Sequence, residues 1–156
     1  YGLASMYYYL ADKYYTGKGT EKDIGKAFKF FEKSAEQGNV AAQFHLGNMY
    51  YVGEHIPQDA RNAFKWLERA AKQGHTEGQL YLSELYYGGV AVPKSIGQAY
   101  IWANLATAGG ESDYTFTQWR DAMASELSPE ALLEAQAEAA ELFKQIQERA
   151  ASALKP

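Results

Sequence analysis

The sequence predicts an all-α fold: an α-α superhelix (solenoid) of three 36-residue helical-hairpin repeats, followed by C-terminal capping helices. Two observations predict it. The string LGNMYYVG at residues 46–53 has a near copy 36 positions before it, LADKYYTG, and another 36 positions after it, LSELYYGG. Within each copy the apolar residues recur at helical spacing. A fixed period of this length marks a stacked array, because each unit is one supersecondary element that cannot cover its own apolar face.

The first helix of each repeat, helix A, carries the columns Leu10, Leu46, Leu82; Tyr14, Tyr50, Tyr86; Tyr15, Tyr51, Tyr87; and Gly17, Gly53, Gly89. In the middle copy Ala42, Leu46, Met49, Tyr50 and Gly53 share one side at i, i+4, i+7, i+8 and i+11, and Gly53 is a C-terminal stop. The second helix, helix B, opens in the middle copy with Pro57 and Asp59, a proline and a capping type. It runs through Ala63, Trp66, Leu67 and Ala70 and stops at Gly74 with Lys72 in its last turn. Its columns are Ala27, Ala63, Ala99; Phe28, Phe64, Tyr100; Phe30, Trp66, Trp102; and the closing Gly38, Gly74, Gly110. Small residues such as Gly47 and Ala70 fall where two helices approach closely, and the rings fill the gaps between neighbouring repeats. The three repeats span about residues 3–38, 39–74 and 75–110.

After Gly110 the period fails, and residues 111–156 read as two capping helices, the second opened by Ser128 as N-cap with Pro129 at the first helical position. Leu132, Ala139, Phe143 and Ile146 form the face expected to cover the third repeat, with a Glu-rich outer face. The other reading is a partner or dimer helix. Positions 132, 136, 139, 143, 146 and 150 follow a 4-3 spacing, although Gln136 and two alanines make a weak seam.

The pattern A-x-x-x-L-G-x-x-Y-x-x-G, a loop, then A-x-x-W-x-x-x-A-A-x-x-G resembles the Sel-one-like repeat (SLR) family, relatives of tetratricopeptide repeats, over residues 3–110. Tetratricopeptide units place about twelve residues between the helix A glycine and the helix B alanine. Gly47 to Ala63 is sixteen here, so the longer loop favours SLR. Ala11 and Ser83 depart from the glycine, and Glu21 stands where the later copies have Pro57 and Pro93. The resemblance implies a non-enzymatic adaptor in signalling or in assembly of membrane-associated complexes. It also implies a bacterial protein that is periplasmic or secreted rather than cytoplasmic, with its A helices lining a concave side.

Composition narrows the function classes. The chain has 156 residues, 47% hydrophobic and 22% charged, which is globular rather than disordered. No apolar run approaches the roughly 18 residues of a spanning helix, so direct membrane insertion is not expected. No basic-then-apolar leader opens the chain, and its start at Tyr1 rather than at Met points to a processed or cut protein. Cysteine is absent, excluding disulfides and thiol chemistry. The net charge of −4 is uneven: residues 1–110 balance to +1 and residues 111–156 to −5. No basic stripe exists for phosphates, so nucleic acid is not an expected partner.

Catalysis and cofactors find no foothold. His45, His55 and His75 lie at offsets of 10 and 20, without metal-ligand spacing, and read as solvated. The glycines are spaced one to a helix end rather than grouped as a phosphate loop, and no serine has a G-x-S-x-G context. No catalytic residue, metal ligand or cofactor is nominated.

The surface offers more. At 100° per residue from Ala42, the core side of helix A centres near about 40°, and Phe44, Asn48 and Tyr51 lie near about 200°, 240° and 180°. The same columns give Tyr8, Asp12 and Tyr15 in the first repeat and Leu80, Glu84 and Tyr87 in the third. Three times an apolar or aromatic residue, a polar one and a tyrosine occur at i, i+4 and i+7, more ring area than a solvated face keeps. These nine residues are the candidate concave partner-binding face. Asp12 and Glu84 call for a protein or peptide partner that is apolar with basic flanks, within a larger assembly. The competing reading packs the same rings between neighbouring A helices. A small-molecule or glycan site, and last a hydrolase, are the other function classes.

Overall fold

The computed structural model describes residues 2–109 and 113–156. Among the described residues there are eight helices: α1 (Leu3–Thr16), α2 (Ile24–Glu36), α3 (Val40–Val52), α4 (Ala60–Lys72), α5 (Thr76–Gly88), α6 (Ile96–Ala108), α7 (Tyr114–Glu126) and α8 (Pro129–Ala153). The described residues contain no strand. Gly110, expected to close the third repeat, lies outside them.

Short polar side chains start the helices by accepting from orphan backbone N–H groups. Asp23 accepts from Lys26 N at 3.0 Å, Asn39 from Ala42 N at 2.9 Å, Ser95 from Gln98 N at 3.2 Å and Ser128 from Ala131 N at 3.2 Å. Asp59 accepts from the backbone N–H groups of Arg61 and Asn62, both at 3.1 Å, and from the Asn62 side chain at 2.8 Å. The Asn62 bonds hold the Asp59 carboxyl below its usual range. Because Asp59 is the cap, α4 begins at Ala60, and Pro57 stays in the loop rather than opening the helix. Gly53 ends α3 in the left-handed region at φ 69°, and a Cβ there would lie 2.7 Å from Gln58 Cβ.

The 36-residue period reappears as repeated hydrogen bonds. Asp23 N donates to Tyr14 O at 2.9 Å, Asp59 N to Tyr50 O at 3.0 Å and Ser95 N to Tyr86 O at 3.0 Å. In each repeat the residue before helix B is thereby tied to the tyrosine column of helix A. The joint between repeats recurs as well: Gln43 Nε2 donates to Ala35 O at 3.1 Å, and Gln79 Nε2 donates to Ala71 O at 3.2 Å.

The chain forms two compact units, residues 1–70 and 71–156. In the first, Ala11, Ala27, Phe31, Ala35, Ala42, Leu46, Met49 and Trp66 make the core. Here α3 meets α4 so closely that a Cβ on Gly47 would lie 2.8 Å from Leu67 Cγ. In the second unit α6 is the central element, burying Ala99, Tyr100, Ile101, Trp102, Ala103, Leu105 and Ala106, with α5, α7 and α8 packed on it. Ser83, which stands in the Gly47 column, donates to Ala99 O at 2.6 Å and accepts from Trp119 Nε1 at 2.9 Å. The departure from glycine thus joins α5 to both α6 and α7.

The face of α8 differs from expectation. Ala135 and Ala139 are its buried residues, Leu132, Leu142 and Ile146 are half-buried, and Phe143 is 38% exposed. The inward face is 132, 135, 139, 142 and 146, turned by about 30° from the one that Phe143 suggested. Small alanines let α8 approach α6 closely, and the larger ring is left at the edge.

Candidate functional site

In the first unit α1 presents Tyr8, Asp12 and Tyr15, and α3 presents Phe44, Asn48 and Tyr51. Asp12 is exposed and the other five are half-buried. The rings do not simply face outward. Tyr8 and Tyr15 lie over the core residue Phe31 of α2, with ring centroids 5.9 and 6.1 Å away. The Tyr8 hydroxyl also pairs with His45 Nε2 at 3.3 Å. Burial, and next the Asp12 carboxylate, push the Tyr8 hydroxyl pKa up. Tyr15 meets His55 edge-on at 6.2 Å.

The structure brings Tyr15 of α1 and Asn48 of α3 together in a notch of about 40 Å³, closed by Met49, Val52, Glu54 and His55. Within this surface Asn48 Oδ1 is buried and accepts no hydrogen bond among the described residues. A buried acceptor without a donor costs about 1–3 kcal/mol, so it is a place where an incoming donor gains.

In the second unit α5 presents Leu80, Glu84 and Tyr87, all half-buried. Here the chain itself engages the tyrosine. The Tyr87 hydroxyl donates to Glu126 Oε1 at 3.0 Å, its ring meets Trp119 edge-on at 5.2 Å, and Lys94 Nζ sits 4.6 Å from the ring centroid. The Glu126 hydrogen bond and charge raise the Tyr87 pKa.

The histidines also correct the reading of them as solvated. His45 stacks on Phe31 at 5.1 Å, and His75 caps α5 by accepting from Gly78 N at 3.2 Å. Burial lowers the His75 pKa, against a smaller opposing pull from Glu77. Only His55 is exposed. Among the described residues no group of three His, Cys, Asp or Glu stands close enough to hold a metal ion, and no helix is long and apolar enough to cross a membrane.

Two features escaped the sequence reading. Leu3, Met6 and Tyr9 on α1 are 48%, 50% and 57% exposed. The signal was present in the columns: Met6 and Tyr7 stand where the later repeats have Ala42–Gln43 and Gly78–Gln79, the small residue and glutamine of the inter-repeat joint. Tyr7 and Tyr14 instead flank Phe30 at 6.0 and 5.9 Å, and Lys33 and Lys26 lie over their rings.

Comparisons with known proteins agree with this architecture. The Sel1 repeat family model matches three times, at residues 4–39, 40–75 and 76–111. Among solved structures, a Sel1 repeat protein from Oxalobacter formigenes is 30% identical, with 76% of this chain and 88% of that one covered and a TM-score of 0.71. A protective antigen present in uropathogenic Escherichia coli strains, displaying an SLR fold, is 26% identical with a TM-score of 0.68. It covers 98% of this chain, which spans 41% of that protein. Helicobacter pylori cysteine rich protein B shares the fold at 18% identity, with 75% of this chain and 96% of that one covered and a TM-score of 0.59. A comparison with curated proteins finds no match. Sel1 repeats are commonly protein–protein interaction scaffolds and generally non-catalytic. With three matched repeats joined by the same hydrogen bonds, this chain belongs to the Sel1 repeat family.

Proposed function

We propose that the protein is a non-enzymatic adaptor that holds an apolar, basically flanked peptide or helix of a partner protein against the A-helix face. The anchoring part of this face is Tyr8, Asp12, Tyr15, Phe44, Asn48 and Tyr51 in the first unit. The observation that carries the proposal is the notch beside Tyr15, lined by the 54% exposed Val52 and by Asn48, whose buried Oδ1 has no partner among the described residues and gains a donor if a docking side chain opens the notch. Its size separates a peptide from a small ligand. Ligand pockets run to about 300–1,000 Å³, and a notch of about 40 Å³ takes one side-chain tip. The exposed Asp12 supports basic flanks through rim electrostatics, which act on association rate more than on affinity.

Likeness to Sel1 proteins of bacteria, one of them a protective antigen, supports a place in bacterial signalling or envelope-complex assembly. We also propose that α7 and α8 cap the third repeat. Site-specific photo-crosslinking in source cells tests the binding face. Benzoylphenylalanine at positions 12, 44 and 51 is expected to capture one common protein, and the same probe at Lys29 on α2 is not. Adducts at position 29 with none on α1 or α3 would move recognition to the helix B side.

A further inference from the structure

The second unit contains a cavity of about 250 Å³ lined by Lys72, Trp102, Leu142, Gln145, Ile146 and Arg149. Lys72 ends α4, Trp102 comes from α6, and the other four come from α8. A second cavity of about 220 Å³ shares Lys72, Ile146 and Arg149 and continues along Gln73 and Ala150. Three properties set this place apart from a gap left by imperfect packing. Neither cavity has a carboxylate in its lining, although residues 111–156 carry nine acidic side chains against four basic ones. Two permanent cations, Lys72 and Arg149, meet an apolar floor of Leu142 and Ile146. Finally, Trp102 is 4% exposed and its Nε1–H, also buried, has no hydrogen-bond partner among the described residues.

A buried donor left unmade costs about 1–3 kcal/mol, and native proteins leave few such groups. An indole N–H donates only, so it needs an acceptor. Water satisfies such groups where a site is roomy and polar. A water could do so here, but the cations beside an apolar floor also suit a group that is an anion at one end and hydrocarbon at the other, which would displace it. Arg149 offers a fork of N–H donors that matches the two oxygens of a carboxylate. Gln145 and Arg149 are exposed side chains of α8, and a change of their rotamers would let an acceptor reach the indole.

We propose that this cavity is a binding site for a carboxylate carrying a short aliphatic group. The carboxylate would accept from Arg149 and from Trp102 Nε1 in the field of Lys72, and the aliphatic part would rest on Leu142 and Ile146. The chemistry is shared by a free short-chain acid and by the C-terminal residue of a peptide, whose preceding residue would run into the second cavity along Ala150. The site is distinct from the A-helix face and does not depend on it.

The test follows the indole N–H resonance of Trp102 in ¹⁵N-labelled protein, at fixed ionic strength, during titration with isovalerate, acetyl-Ala-Val acid and acetyl-Ala-Val amide. Both acids are expected to shift it downfield in a saturable way, and the amide to leave it in place. Arg149→Gln, on an exposed position of α8, is expected to keep the circular dichroism spectrum and to weaken acid binding by about tenfold, the loss of one charge-assisted hydrogen bond. Tighter binding of the peptide acid than of isovalerate assigns the site to chain termini, and equal binding assigns it to free acids. The proposal fails if neither acid gives a saturable shift, if the amide shifts the resonance as the acid does, or if Arg149→Gln binds the acids as well as the native protein does.

Discussion

The two units place the same columns in different surroundings. In the first repeat of the first unit, Phe30 is half-buried and Met6 is 50% exposed, while Trp66 and Ala42 of the same columns are buried; in the second unit, Trp102 and Gly78 stand in those columns and both are buried. Gly47 and Ser83 likewise share a column, yet one leaves to Leu67 the space that a Cβ would take and the other holds α6 and α7 by its hydroxyl. Tyr87 is engaged by Trp119 and Glu126 of the chain's own α7, whereas beside Tyr15 the notch leaves Asn48 Oδ1 without a donor. A repeat's residues therefore decide what it can join to, and its neighbour decides which of those groups end up buried. In the second unit the residues after the period supply that neighbour. Within the described residues Leu3, Met6 and Tyr9 of α1 are 48%, 50% and 57% exposed.

Removing α8 is the largest way to break this contrast. Deletion of residues 128–156 takes away the inward face built on Ala135 and Ala139 and uncovers the α6 surface around Trp102. If α8 is the cap, the shortened chain should self-associate, because an uncovered apolar repeat face is an association surface. Light scattering at several concentrations reads the result. A monomer with unchanged melting would make α8 an appendage and leave the two units alike.

A smaller perturbation compares one column with itself. Trp66 is 5% exposed and belongs to the first core, so Trp66→Ala should cost about 3–5 kcal/mol. Phe30 occupies the same column with an open side and cation contact from Lys33, so Phe30→Ala should cost roughly half as much, about 1–2 kcal/mol. Denaturant titrations of both variants give the difference directly. Equal losses would mean that surroundings do not grade the column and that ring size alone sets its contribution.

Much of this was legible beforehand, and the parts that were not share a cause. The hairpins, the caps at Asp59 and Ser128, and the place of Gly53 follow from local chemistry, which a single repeat contains; the caps at Asn39 and Ser95 are of the same kind but went unnamed in the sequence. The tyrosine column was visible, but not that its backbone carbonyls tie down the residue before helix B, since that bond is made by groups every residue carries. A helical wheel gives the direction of Tyr8 and Tyr15 but not their depth, which depends on Phe31 of the next helix. The Tyr8–His45 pair joins residues 37 positions apart, and the Ser83–Trp119 bond reaches past the end of the period. On α8 the largest apolar residue misled, because close helix approach is set by the smallest ones, Ala135 and Ala139.

The finest difference lies in one cap. Asn39 and His75 occupy the same column and do the same task, accepting from the backbone N–H three residues on, at 2.9 and 3.2 Å. An amide oxygen accepts at every pH, whereas imidazole Nδ1 accepts only while it is unprotonated. Burial lowers the His75 pKa in the folded state, so the unfolded chain takes the proton first as pH falls. The stability tied to neutral His75 is then fully present above the unfolded value of about 6.5 and is lost as pH drops through the lower folded value. Glu77, 3.6 Å from Nδ1, opposes the loss without cancelling it, since burial is the larger influence. His75→Asn copies the Asn39 cap into the third repeat. It should match the native protein at pH 8 within a few tenths of a kcal/mol and exceed it by up to about 1 kcal/mol at pH 5, the typical contribution of a cap. Melting temperatures of both proteins at the two pH values decide the matter. Parallel pH profiles would show that His75 is not the group that makes the third repeat's helix start pH-dependent where the second repeat's is not.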